Sequence, residues 1–248
     1  MLFPRWARST RCTIDERLMI KRQRSRRSAP SGSRPSPVAS RIGLLGGSFN
    51  PAHAGHLHIS RLAIEHLALH ELWWLVSPQN PLKPVVGMAP FPARFAAARR
   101  VARHPRIRVT AIERDLGTRY TVDTVRALKA RHPEAHFVLV IGADNLLQLP
   151  AWHAWEQLFQ ELPVAIFDRP SYSQRALGGV AALRFAGWRL DQAFGPQLAY
   201  RAPPAWIFFR TALHPASATA LRRRETAHER RAKLRELKTP RLPGRRAP

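Results

Sequence analysis

From Arg41 onward the apolar positions of this chain follow two rhythms in turn. Short, nearly continuous apolar runs at Arg41 to Leu45, Leu72 to Ser77, His136 to Ile141, Pro163 to Phe167 and Ala205 to Phe209 have the length and the aromatic and β-branched content of buried strands. Ile107 to Ile112 alternates apolar and polar residues, as a strand with one covered face does. Between these runs lie stretches with apolar residues three and four apart. They run from Gly55 to His70 through Leu57, Leu62, Ile64 and Leu67, from Pro92 to Arg103, from Thr121 to His132 and from Trp152 to Glu161, and a last helix is expected from Ser217. Strands and helices in alternation predict a parallel sheet with right-handed crossovers, hence an α/β fold of the doubly wound, Rossmann-like kind. No internal repeat interrupts the pattern.

Before Arg41 neither rhythm is present. Ser25 to Ser40 is rich in Ser, Pro and Arg and offers too little apolar area to offset the entropy of ordering it. The expected organisation is a disordered basic extension over 1–40, one folded domain over 41–222 and a basic helical or disordered tail over 223–248. The extension has the Arg- and Ser-rich composition of a transit peptide, but Asp15-Glu16 and the lack of an amphipathic period speak against that reading. Met19 is an alternative start.

The chain has 248 residues, 45% of them hydrophobic, which suffices for one domain with a core. Its net charge of +25 would mark a nucleic-acid binder if it covered the folded surface, yet about two-thirds of it falls before Ile42 or after Leu221. The single cysteine, Cys12, excludes an intrachain disulfide framework and a cysteine-rich zinc site, and fits a reducing cytoplasm. No apolar run approaches the roughly 18 to 20 residues that span a bilayer.

The candidate chemistry sits where the first strand ends, in Gly46-Gly47-Ser48-Phe49-Asn50-Pro51-Ala52-His53-Ala54-Gly55-His56. In open α/β sheets ligands bind beyond the carboxyl ends of the strands. Two glycines let the backbone approach a phosphate, and the following helix brings free N–H groups and its positive dipole end. The loop lacks the three spaced glycines of a dinucleotide fingerprint and the Gly-Lys-Ser/Thr of a P-loop. His53 and His56, three apart on a first helical turn, lie on one side of it. For an arbitrary pair the commoner outcome is one satisfied and one exposed ring. A two-histidine metal site lacks a third ligand at a telling spacing.

The whole string resembles the His-x-Gly-His signature of the nucleotidyltransferase superfamily related to class I aminoacyl-tRNA synthetases, and within it most nearly the bacterial nicotinate-nucleotide adenylyltransferases. The resemblance spans roughly Arg41 to Arg222. It implies ATP held by Gly46, Gly47, Ser48, Phe49 and Gly55, with His53 and His56 as catalytic donors. "WWLVSPQNPLK", Trp73 to Lys83, is similar to the family's segment beside the substrate and carries Asn80 and Lys83. Lys83 and Arg94 are expected to reach a substrate phosphate, their alternatives being a solvated loop lysine and a helix-surface charge. "GTRYTVDTV" resembles the loop and helix that meet the pyridine through Tyr120 and Thr121. "GADNL" resembles the turn whose Gly142 backbone and Asp144 contact the adenosine ribose, though an aspartate there also caps a turn. "LPAWHAW" carries Trp152, which the resemblance places against nicotinate and which is otherwise a core tryptophan. "DRP", Asp168 to Pro170, fits as well. Ser217, Thr219 and Arg222 resemble the family's Ser-x-Thr-x-x-Arg at the start of the last helix, facing the ATP phosphates. Ala216 and Ala218 stand where relatives have Ile and a second Ser.

The implied reaction moves the adenylyl group of ATP, bound with Mg²⁺, onto nicotinate mononucleotide, giving deamido-NAD and pyrophosphate. Two other readings predict different observations. A pantetheine-phosphate adenylyltransferase or a cytidylyltransferase of the same superfamily would not show "YTVDT" followed by a tryptophan after "GADN". A basic nucleic-acid-binding protein would bind in a steeply salt-dependent way. Preference for nicotinate over nicotinamide is implied by the resemblance alone.

Overall fold

The computed structural model describes residues 39–79, 82 and 86–211. The extension expected before residue 39, the tail over 223–248 and the helix expected from Ser217 lie outside these residues. The strands are β1 Arg41–Gly47, β2 Glu71–Val76, β3 Ile107–Thr110, β4 His136–Gly142, β5 Val164–Phe167, β6 Arg189–Leu190 and β7 Trp206–Phe209. The helices are α1 Ala54–His66, α2 Phe91–Val101, α3 Ile112–Asp115, α4 Thr121–Arg131, α5 Ala143–Gln148, α6 Trp155–Glu161, α7 Ser173–Leu177 and α8 Val180–Arg184. The strands form one seven-stranded sheet in the order β3-β2-β1-β4-β5-β7-β6, parallel at every described pairing. This is the doubly wound Rossmann-like arrangement that the apolar pattern predicts.

Alternation along the strands sorts the core into two layers. Leu44, Trp73, Leu75, Leu139, Ile141, Ile166, Trp206 and Phe208 face one side and meet Val122, Val125 and Leu128 of α4 and Leu158 and Phe159 of α6. Their sequence neighbours Leu45, Trp74, Val76, Val138, Val140, Phe167, Ile207 and Phe209 face the other side and meet Ile59, Ala63 and Ile64 of α1 and Ala98 of α2. Each central strand is therefore covered on both faces, which is why its sequence reads as a continuous apolar run.

Three boundaries depart from the pattern, each for a local reason. The first helix stops at His66 rather than His70, because Ala68 takes a left-handed φ of 48° and turns the chain toward β2. The third strand stops at Thr110, and Ile112 opens the short α3 instead. The helix expected from Trp152 begins at Trp155, after a 3₁₀ turn over Leu149–Ala151 and a left-handed Ala154 with φ 49°. Among the described residues no helix is long and apolar enough to cross a membrane.

The strand order changes direction between β1 and β4, and there the sheet opens. Pairing of β1 with β4 ends at Leu44 and Leu139, although β1 stays paired with β2 as far as Gly47 and Val76, and β4 with β5 as far as Gly142 and Phe167. The ends of the two central strands diverge. A crevice at such a switch point is where an open α/β sheet takes its ligand.

Candidate active site

On the β1 side the loop is held by packing. Phe49 adopts a left-handed φ of 47°, a conformation costing on the order of 1 kcal/mol or more in a residue other than glycine. Its buried ring compensates by stacking on Trp74 at 4.9 Å and 15°. The Trp74 Nε1–H donates to Ser60 Oγ at 2.7 Å, and the Ser60 hydroxyl donates to the His56 carbonyl at 2.7 Å. A tryptophan of β2 thus sets the position of the first turn of α1. At Gly46 a Cβ would meet nothing within 4 Å, so one side of the strand end is open beside the crevice.

His53 and His56 hold each other through the backbone. His53 is the N-cap of α1 and its Nδ1 accepts from the Gly55 N–H at 3.1 Å, while His56 Nδ1 accepts from the His53 N–H at 3.2 Å. This is a capping box in which both side chains are imidazoles rather than a hydroxyl and a carboxylate. An accepting Nδ1 carries no proton, so in each neutral ring the proton lies on Nε2. The rings sit 3.9 Å apart and inclined by 37°, and His53 is only 6% exposed. The local sequence therefore delivers two imidazole N–H donors of fixed tautomer at the N-terminus of a thirteen-residue helix.

Arg94 is not the surface charge that the sequence offered as one alternative. It is 2% exposed, and its guanidinium donates to four backbone carbonyls: Nε to Ala89 at 2.9 Å, Nη1 to Ser48 at 2.6 Å and Ser77 at 2.8 Å, and Nη2 to Pro78 at 2.8 Å. With its N–H groups directed to these carbonyls, the side chain is a clasp between the loop after β1 and the exit of β2. Burial lowers its pKa, and among the described residues no carboxylate pairs with it.

Glu113 of α3, which sequence reasoning passed over, grips the same exit. It is 8% exposed and bonds the Ser77 side chain, and burial raises its pKa to about 7 against the weaker opposing effect of that hydrogen bond. Its one sign in the sequence is an acid directly after the apolar alternation from Ile107 to Ile112.

On the β4 side Gly142 leads into α5. Asp144 Oδ2 pairs with Arg169 Nη1 at 3.0 Å, and a Cβ at Gly142 would lie 2.5 Å from Asp144 Oδ1, so glycine is required for the carboxylate to sit there. Two buried side-chain oxygens among the described residues have no hydrogen-bond partner: Asp144 Oδ1 and Ser48 Oγ. One follows each of the two strands that diverge. Buried polar atoms are rarely left unpaired, and an unpaired one at a crevice marks a contact that a ligand completes.

Farther along the same edge, Tyr120 occupies the N-cap position of α4 without a side-chain capping bond, Thr121 is the first helical residue, and Thr118 and Thr124 share a hydroxyl hydrogen bond at 2.8 Å. The Tyr120 ring stacks on His153 at 4.2 Å and 28°. That contact joins the Tyr120-Thr121 segment to the one carrying Trp152, whose half-buried ring lies against the core. His153 was not singled out from the sequence. Asn80, Lys83, Ser217, Thr219 and Arg222 lie outside the described residues, and among the described residues no group of three His, Cys, Asp or Glu is arranged to hold a metal ion.

A family profile described as cytidylyltransferase-like matches residues 44–224, the span that holds the parted sheet and the paired imidazoles, and places the chain among the nucleotidyltransferases. A protein of Methylorubrum extorquens named "Probable nicotinate-nucleotide adenylyltransferase" is 49% identical over 184 residues, covering 74% of this chain and 100% of that one. A protein of the same name from Parvibaculum lavamentivorans is 48% identical over 184 residues, covering 74% of this chain and 92% of its own. The chain belongs to the nicotinate-nucleotide adenylyltransferase family. In fold it is similar to Plasmodium falciparum nicotinic acid mononucleotide adenylyltransferase complexed with NaAD, with a TM-score of 0.53 at 17% identity over 74% of this chain and 83% of that one.

Proposed function

We propose that this chain transfers the adenylyl group of ATP to nicotinate mononucleotide, releasing pyrophosphate and forming deamido-NAD. Family membership supports the substrates, and one geometric observation carries the placement of the reaction. β1 and β4 part just where Ser48 Oγ and Asp144 Oδ1 are buried without partners, next to the His53–His56 capping box.

In this reading the 5′-phosphate oxygen of the mononucleotide attacks the α-phosphorus of ATP as the bond to the β-phosphate bridging oxygen breaks. A phosphate monoester is already a dianion near neutral pH, so attack needs no general base. The obstacles are repulsion between two anions and in-line alignment. The Nε2–H groups of His53 and His56 donate to phosphate oxygens as charge builds, and the N-terminus of α1 adds its dipole. Gly46, Gly47 and Gly55 give the phosphates room, and Phe49 holds the turn that aims them. Asp144, its charge balanced by Arg169, offers Oδ1 to a ribose hydroxyl. Tyr120, Thr121 and Trp152 flank the pyridine. Ser217, Thr219 and Arg222 are assigned to the pyrophosphate, and Asn80 and Lys83 to the acceptor. Mg²⁺ arrives as part of the ATP substrate, held by phosphate oxygens and water, the ligands it prefers. We place the activity in the cytoplasm, the reducing compartment that a single cysteine suits.

Pyrophosphate release from ATP and Mg²⁺ with nicotinate mononucleotide, nicotinamide mononucleotide or phosphopantetheine as acceptor tests the reading. Turnover with nicotinate mononucleotide above the other two is expected. Turnover with phosphopantetheine alone would overturn it.

A further inference from the structure

The proposed reaction assigns the loop after β1 to ATP and the chain after β2 to the acceptor, and the described residues show what ties the two together. The loop after β1 and the chain after β2 are joined at one junction. Ser77 N–H donates to Gly47 O at 3.0 Å, and Arg94 Nη1 bridges Ser48 O and Ser77 O while Nη2 takes Pro78 O. The chain returning toward α2 is tied to the same loop. Asn50 Nδ2 donates to Gly87 O at 3.0 Å, Ala89 N–H donates to Asn50 Oδ1 at 3.2 Å, and Arg94 Nε holds Ala89 O. Ala89 is thus held through its N–H by Asn50 and through its carbonyl by Arg94, and both departure and return of the segment after β2 are referenced to Ser48–Asn50.

We propose that Arg94, assisted by Asn50, is a positioning residue that sets the spacing between the ATP loop and the acceptor segment, acting on the reaction through Ser48 and Ser77 and not by touching phosphate. The inference rests on the proposed adenylyl transfer, which assigns those two segments to the two substrates. A planar guanidinium suits this role because its N–H groups point in fixed directions, and a carbonyl in each direction is located relative to the others. A lysine ammonium keeps the charge but cannot span four carbonyls in one plane. Misplacement of reacting groups by about 1 Å is enough to cost about 10²-fold in rate.

Steady-state kinetics of R94K, N50A and the double variant, each with a thermal melt, test this against wild type. A drop in kcat of about 10²-fold in R94K with both Michaelis constants within a few-fold is expected, together with a smaller drop in N50A. The losses should be less than multiplicative in the double variant, because both residues hold Ala89. Unchanged kcat in R94K with only a lowered melting temperature would reduce Arg94 to a structural role and overturn the proposal. A loss confined to the KM for ATP would restore the direct phosphate contact and overturn it equally. If R94K fails to fold, N50A decides: a lowered kcat at unchanged KM supports the proposal and an unchanged kcat rejects it. Wild-type protein inactive toward nicotinate mononucleotide would instead indict the functional reading, before any variant is made.

Discussion

The two lips of the crevice are built by different means. On the β1 side the two histidines are secured by near neighbours: His53 and His56 cap the helix they begin, and Ser60 returns to His56, one turn earlier, while the loop between strand and helix is held from β2 by Trp74 under Phe49. On the β4 side the one polar group at the lip, Asp144, depends on Arg169, 25 residues away, and keeps one oxygen without a partner. The contrast extends to charge. Among the described residues Arg94 and Glu113 are buried without a formal counter-ion and are satisfied by carbonyls and a hydroxyl, whereas Asp144 and Arg169 form a partly buried pair. In the proposed mechanism the first lip is a preorganised donor site for charge that develops during reaction, and the second an acceptor whose own charge is already balanced.

The largest effect should come from breaking the first lip. His56→Ala removes one Nε2–H donor and the acceptor for the His53 N–H, and kcat/KM is expected to fall about 10²- to 10³-fold, the range typical of a lost oxyanion-type donor. Pyrophosphate release and a melting curve on the same sample separate chemistry from folding. A folded variant turning over near the wild-type rate would remove the histidine pair from the mechanism.

How much of this was legible follows the same division. The placement of both histidines on one side of the first turn of α1 could be read from eleven consecutive residues, because two histidines three apart at a helix start are a local feature, whereas the hold of Trp74 and Arg94 on the same loop could not. The sheet was legible too, since strands covered on both faces leave continuous apolar runs. The burial of Arg94 was not legible because its partners Ser48, Ser77 and Pro78 belong to other elements, and a helix arginine with buried backbone acceptors has the same sequence as a solvated one. Asp144 was singled out by its motif, but not its tie to Arg169, and the stacking of His153 on Tyr120 needs two chain segments to meet. From Asp168 to Arg201 the pattern yielded no element, and the structure there is short helices, 3₁₀ turns and the two-residue strand β6, with little periodicity to detect.

Glu113 sharpens the comparison by pH. Its pKa rises from 4.5 to about 7 on folding because burial disfavours the carboxylate. A raised pKa contributes stability that is present below the unfolded value and lost as pH climbs through the folded one, so the window runs from 4.5 to about 7. Glu113→Gln keeps a hydrogen-bonding group for Ser77 and cannot ionise. Relative to wild type the variant should gain stability from pH 5 to pH 8, by on the order of 3 kcal/mol across the full shift. Denaturant melts at several pH values measure the difference, and a constant offset between the two proteins would show that Glu113 does not titrate in that window.

The smallest of these effects, and the most discriminating between the lips, is expected at Asp144. Asp144→Asn preserves the volume against Gly142 and leaves an oxygen able to accept, but it discharges the pair with Arg169 and can turn a donor toward the crevice. If Oδ1 accepts from a ribose hydroxyl, the substitution exchanges a charge-assisted hydrogen bond for a neutral one, worth about tenfold in affinity. That loss should fall on the KM for ATP and leave kcat within a few-fold, because the ribose contact is made equally in the ground and transition states. His56→Ala should show the reverse, with kcat carrying the loss. Should Asp144→Asn lower kcat as His56→Ala does, the two lips would share one role, and the division of the crevice into a donor side for developing charge and an acceptor side for binding would fail.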